Sequence, residues 1–174
     1  MYGGPKSDKE RAVEDEVDRL VRGWRSAQPE TDVSPLEVLS RVSRLAHHLD
    51  RQRSAVFARH DLEIWTFDVL SALRRAGDPF ELSPGQLLTQ TLVTSGTMTN
   101  RIDHLEERGL VRRRPDPGDA RSVRVKLTAA GRRRVDAALR DLVSREDAIL
   151  AALTTSERST LAGLLRRIVA PFDG

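Results

Sequence analysis

The 174-residue chain has no cysteine, which excludes disulfides, thiolate redox sensing and Cys-ligated zinc. Aromatic residues are scarce, 4% of the chain against 39% hydrophobic residues overall. A core of Leu, Val and Ala with few rings reads as helical rather than as a β-sandwich. No apolar run approaches the roughly 20 residues of a membrane span, and no signal-peptide pattern is present. The expected compartment is the cytoplasm, with no membrane partner. Signatures of catalysis are also missing. There is no Gly-x-Ser-x-Gly elbow, no Gly-rich phosphate loop ending in Lys-Ser/Thr, and no His-Glu-x-x-His. The carboxylates of Glu106 and Glu107 read as solvated charge on a surface helix. His47, His48, His60 and His104 offer no i, i+4 pair, and His47 and His48 diverge on a helix, so a metal site is not expected. The reading is a protein that is not an enzyme and carries no cofactor.

Charged residues reach 32%, with both signs mixed along the chain, which argues against a wholly disordered chain. Net charge is only +3, but its distribution is uneven. Residues 101–134 hold 11 Lys/Arg and 5 Asp/Glu, a balance of 11 − 5 = +6, whereas the remainder holds 18 basic and 21 acidic residues, or −3. Positive charge gathered in one segment is what a nucleic-acid footprint requires. The bland alternative is a solvated basic face.

Helical periodicity begins near residue 9, with Val13, Val17, Leu20, Val21 and Trp24 on one stripe, and should end near Pro29. Ser34-Pro35-Leu36-Glu37 predicts a helix start, with Ser34 as cap and Glu37 returning to the cap amide. Leu39, Val42, Leu45, Ala46, Leu49 and Val56 carry that helix to about Arg59. A third helix spans about 62–76 and is ended by Gly77. Ser83 and Gln86 open a short helix to about Thr91. Thr94 caps a further helix over 95–108, closed by Gly109. Residues 110–114 are β-like, 115–120 are turn material, and Val123, Val125 and Leu127 alternate with Arg124 and Lys126 as in a half-exposed strand. Thr128 starts a long helix to about Ala152. Thr154 and Glu157 form a capping box for the last one.

The fold class predicted is mostly α with a small β-hairpin: a winged helix-turn-helix with a helical dimerisation lobe. Residues 1–33 form an N-terminal extra helix, 34–61 and 128–174 the dimerisation lobe, and 62–127 the DNA-binding lobe. Two helices separated by Leu92-Val93, followed by a basic hairpin, carry this reading. On the second helix, Met98, Ile102 and Leu105 share one face and should look into the core. The opposite face carries Gly96, Thr97, Asn100 and Asp103, with His104 beside it. Small hydrogen-bonding side chains suit a helix lying in the major groove, where Asn can pair with adenine. The helix start at Thr94 and Ser95 offers amides to a phosphate. Asp116, Gly118 and Asp119 shape the wing tip. Arg121 is placed to reach a narrow minor groove, and Arg124 and Lys126 suit phosphate contacts.

These residues resemble the MarR family of transcriptional regulators over about residues 9–170. The most specific stretch is Asp116-Pro-Gly-Asp119-Ala-Arg121, running into Val125-Lys-Leu127-Thr128-Ala-Ala-Gly131, preceded by Arg108-Gly109-Leu110-Val111-Arg112-Arg113. The resemblance implies a homodimer with interleaved terminal helices, bound to double-stranded DNA at a pseudo-palindromic operator. It also implies a repressor that releases DNA when a small ligand binds. The helix before Ser34, bearing Trp24, resembles the PecS-like, urate-responsive branch. That likeness implies a ligand site for urate or a similar anion at Trp24, Asp68, Arg101 and Arg113.

The residues themselves leave alternatives open. Trp24 completes an apolar stripe and reads as core as well as ligand shelf. Asp68 interrupts a largely apolar helix, where a carboxylate needs a cation or a hydrogen-bond set, so a plain structural salt bridge is a second reading. Arg101 flanks Met98 and Ile102 and should point back toward the protein, while Arg113 could contact phosphate. Two other functions stay in view: a helical dimeric adaptor without DNA binding, and a MarR-type regulator with a different ligand or none.

Overall fold

A computed structural model describes residues 14–91, 95–116 and 118–172. Its elements run α1 (Glu16–Ala27), α2 (Ser34–Arg59), α3 (Ile64–Arg75), β1 (Glu81–Leu82), α4 (Pro84–Thr91), α5 (Ser95–Glu107), β2 (Val111–Asp116), β3 (Asp119–Leu127), α6 (Ala129–Ile149) and α7 (Thr155–Val169). The predicted class stands: the chain is mostly helical, with one small antiparallel sheet. No described helix is long and apolar enough to cross a membrane. The chain forms two compact units, Met1–Arg51 and Gln52–Gly174.

In the first unit, Val17 and Val21 of α1 are buried with Val33, and Leu36 packs against them. Leu20 and Trp24, expected on the same stripe, are instead 43% and 48% exposed. Leu20 stands at a groove edge beside Leu39 of α2 rather than in the core, and Val13 lies outside the described residues. Charge secures the rest: Arg41 grips Asp15 and Asp18, Arg44 grips Glu16 and Arg25 grips Glu37. Asp15 caps α1 in a capping box with Asp18, and Arg41 beside it pulls its carboxyl down to about 2. The start of α2 differs from expectation. Asp32, not Ser34, supplies the accepting oxygens, at 2.9 Å to the Ser34 amide and 3.1 Å to its hydroxyl. Glu37 is drawn to Arg25 instead of to a cap.

The second unit holds the main core, built from α3 through α6 with Val56 and Phe57 of α2. Ser83 and Gln86 form the expected reciprocal cap of α4, with bonds of 2.9 and 3.2 Å. Gly77 and Gly109 adopt φ +75° and +66°, the left-handed backbone that ends α3 and α5 at glycine. The sheet order is β1-β3-β2, all antiparallel. The two-residue β1 was not anticipated; a strand that short has no periodicity to read. The hairpin is longer than its turn-like sequence suggested. Pro115 of the edge strand β2 pairs with Val123 of β3, and at the edge its missing N–H is tolerated.

Thr128 locks the hairpin to α6. Its hydroxyl donates toward the carbonyls of Gly109 and Leu110 at 2.8 and 3.1 Å and accepts the Gly131 amide at 3.0 Å. At the far end, no residue of α7 is buried. Leu161, Leu164, Ile168 and Val169 are 36–50% exposed on it, as are Leu139 and Val143 of α6 at 46% and 55%.

Candidate nucleic-acid interface and effector site

Helix α5 is fixed by three side chains almost wholly removed from water: Met98, Ile102 and Leu105. That burial turns Thr97, Thr99, Asn100, Asp103 and His104 outward. Thr94 lies outside the described residues. Ser95 and Gly96 form the first turn of α5, and Arg121 stands in β3 two residues past its start. The remaining interface candidate, Arg124, is engaged within the protein. Its Nε meets Asp116 Oδ2 at 2.5 Å, and Nη1 meets Gln86 Oε1 at 3.4 Å. Lys126 Nζ likewise sits 3.1 Å from Glu81, which also binds Arg114 at 3.2 Å. At the hairpin tip Asp116 accepts the Gly118 amide at 2.9 Å, and these contacts hold its carboxyl below the usual range.

The effector candidates fall on two flanks of α5. On one flank, Arg101 lies back against the protein, its guanidinium carbon 5.2 Å from the Trp65 ring centre. Trp65 also tilts against His104, with ring centres 5.8 Å apart. Asp68, one turn beyond Trp65 on α3, keeps access to solvent. Helix α3 buries Thr66, Phe67, Val69, Leu70, Ala72 and Leu73 and leaves Asp68, the polar break in its apolar sequence, on its outer side. The neighbouring protein still raises its pKa by desolvation; Arg101 is the chief cation opposing this, followed by Arg75 and Arg53. Among the described residues none makes a direct ion pair with it. On the other flank, Arg113 of β2 grips Asp103 and reaches Glu106 at 2.6 Å. Successive residues turn by about 100° around a helix, so Asp103 and Arg101 point in nearly opposite directions. Asp68 and Arg101 are thus brought together, and Arg113 is engaged elsewhere. Trp24 belongs to the first unit, where it borders a shallow groove with Leu20 and Gly23.

Sequence reasoning passed over Trp65, reading it only as part of an apolar run. The signal was its spacing: Trp65 and Asp68, three apart, share one face of α3. The side chains of Trp65, Thr97, Thr99, Asn100, Arg101 and His104 line a groove of about 770 Å³ along α5. No group of three or more His, Cys, Asp or Glu side chains suited to a metal occurs among the described residues.

Comparison with known proteins agrees with this architecture. A family model described as MarR family matches residues 60–122. The HTH-type transcriptional regulator PecS of Dickeya dadantii is 36% identical over 153 residues, 88% of this chain and 92% of PecS. Among solved structures, Sco5413 of Streptomyces coelicolor, a MarR family transcriptional regulator, superposes with a TM-score of 0.65 at 28% identity, covering 81% of this chain and 97% of that one. BpsR of Bordetella bronchiseptica, whose DNA binding is regulated by 6-hydroxynicotinic acid, superposes with a TM-score of 0.57 at 27% identity, covering 73% and 91%.

Proposed function

The chain belongs to the MarR family and is a DNA-binding transcriptional regulator rather than an enzyme, and from that premise we propose a homodimeric repressor that leaves a pseudo-palindromic operator when a small anion of the urate kind binds. The observation that carries the DNA-reading part is the outward face of α5, with Thr97 and Asn100 exposed directly ahead of a hairpin. Asn100 would read a base edge, the amides at the start of α5 around Thr94, Ser95 and Gly96 would hold a phosphate, and Arg121 and Arg124 would approach the backbone or minor groove from the wing. Arg124 must exchange Asp116 for phosphate to do so.

Support for the dimer comes from α7, which buries nothing within its own chain and carries an oily row. A second copy of the same surface is the simplest partner for such a row, since two-fold assembly is the commonest. The repressor reading rests on the family likeness. Effector binding centres on Arg101 and Asp68, with Trp24 and Arg113 implied by the family likeness. An anion attracted to Arg101 would displace it from its place over Trp65 beside the reading face. Ligand can shift the equilibrium only if it binds the released form more tightly.

A gel-shift titration with the DNA upstream of the protein's own gene tests this directly. Retardation should weaken steeply with salt, fall by about tenfold or more with Asn100→Ala on specific DNA, and be reversed by urate. Absence of any retarded band at low salt removes the DNA-reading proposal, and sedimentation as a monomer removes the dimer. The adaptor alternative would gain if Arg121→Ala left DNA retention unchanged.

A further inference from the structure

The geometry points to a second anion site, apart from the groove along α5: a cleft between the end of α2 and the start of α6 that takes compact, multiply charged phosphate groups of the phosphomonoester or pyrophosphate kind. Arg59, His60, Asp61, Ala130, Arg133 and Arg134 line a cavity of about 440 Å³ there, a size suited to a small ligand. Three of these six are arginines, and no Phe, Tyr, Trp or long aliphatic side chain stands among the described residues that line it. Such a lining gives little to the apolar face of a ring. It offers several guanidinium forks, each matching two phosphate oxygens. A dianion can use more than one fork at once, whereas a single carboxylate fills only one.

The resident charges do not fill this cleft. Asp141 pairs with Arg59 at 3.5 Å and with His60 Nε2 at 3.1 Å. Asp61 pairs with Arg134 at 2.9 Å and with Arg108, just past the end of α5, at 2.7 Å. Arg133 is exposed and has no partner among the described residues. Asp61 is the unusual member. Its φ is +53°, the left-handed backbone on which a helix commonly ends at glycine. Its amide donates to the Ala58 carbonyl at 3.0 Å, and the Leu62 amide to the Phe57 carbonyl at 2.9 Å, closing α2. Aspartate at such a position gives up backbone ease and gains a carboxylate, and this one is 81% exposed. It is a monoanion standing where a stronger anion can displace it. A phosphate that took Arg133 and Arg134 would leave Asp61 holding Arg108 alone, so occupancy would be felt at the end of the reading helix.

Pyrophosphate is the probe, titrated calorimetrically into the whole chain at constant ionic strength. Arg133→Glu should weaken its binding about tenfold or more. Arg19→Glu, the same reversal of charge at an exposed position of α1, should leave it unchanged. Asp61→Asn should tighten it severalfold, because asparagine also tolerates the left-handed backbone and the competing charge is gone. Thermal melts confirm that all three variants fold. No pyrophosphate binding to the wild type, equal affinity in Arg133→Glu, or weaker binding in Asp61→Asn overturns the site. If pyrophosphate does not bind and Arg133→Glu nevertheless lowers retention of duplex DNA, the cluster holds backbone phosphate, and the small-ligand assignment falls.

Discussion

The carboxylate of Glu106 on α5 is held twice by Arg113 on β2, accepting its backbone N–H at 2.7 Å and its guanidinium at 2.6 Å. Asp103, one turn earlier, takes another guanidinium nitrogen of the same arginine. The helix that would read DNA is thereby clasped to the first strand of the wing. These contacts hold the Glu106 carboxyl below the usual range, led by the backbone bond.

Arg113→Ala leaves two carboxylates side by side without their cation. The pair is about one-third exposed, so the stability loss should be modest, about 1 kcal/mol. A thermal melt should show that small drop, and DNA affinity should fall by more than the melt alone explains. An unchanged melting temperature with unchanged DNA binding would mean that the clasp contributes nothing.

Asp68 gives a pH prediction with a definite sign. Burial raises its folded pKa above the ordinary 3.8. Its contribution is therefore fully present below 3.8 and lost as pH rises through the raised folded value. At pH 7 the ionised carboxylate is a mild liability. Asp68→Asn should melt higher than the wild type at pH 7, and the advantage should shrink as pH is lowered toward 4. Scanning calorimetry across that range decides it; a lower melting temperature at pH 7 would contradict the argument.

Gly131 tolerates no side chain. A Cβ there would lie 2.2 Å from the carbonyl oxygen of Leu110 and 2.9 Å from Leu127 Cδ1. The first neighbour is backbone and cannot swing aside. Gly131→Ala should cost about 3 kcal/mol, read as a lowered denaturation midpoint with an unaltered slope.

Thr66 offers the opposite case. Its residue is fully buried in α3, and its hydroxyl finds no hydrogen-bond partner among the described residues. Thr66→Val keeps the shape and removes the stranded polar atom, so it should stabilise the fold by about 1 kcal/mol. Chemical denaturation measures this, and a loss of stability would point to a hidden partner for the hydroxyl.

Much of this architecture was legible because local chemistry and tertiary packing agree. Ser83 with Gln86, and Thr154 with Glu157, are caps whose partners lie three residues away, so sequence spacing alone identifies them. Gly77 and Gly109 end helices for a reason internal to the backbone. Met98, Ile102 and Leu105 follow a helical period and are buried accordingly. What escaped notice depends on distant neighbours. Trp24 matches the periodicity of a buried stripe yet is half exposed, while Val17 and Val21 are buried with Val33 and Leu36. The pairing of Arg113 with Glu106 and Asp103, and the placing of Arg101 over Trp65, join elements whose relative approach no single segment encodes. Asp68 stood out as a polar break in an apolar helix, but which side of α3 would face water was not readable from that helix alone.

Glu81, on the two-residue strand β1, sits between Arg114 and Lys126, and Asp116 and Asp61 similarly occupy Arg124, Arg108 and Arg134. Glu81 and Asp61 come from outside residues 101–134 and so offset two of that segment's six surplus positive charges, while Asp116, Asp103 and Glu106 pair with its arginines from within. Seen from a distance, the hairpin is closer to an array of dipoles than to a positive plate. Its long-range pull on a polyanion is weaker than composition suggests, and phosphate must outcompete resident carboxylates one contact at a time. Such a surface discriminates by fit at close range, rewarding a duplex whose backbone arrives in register and giving little to one that does not.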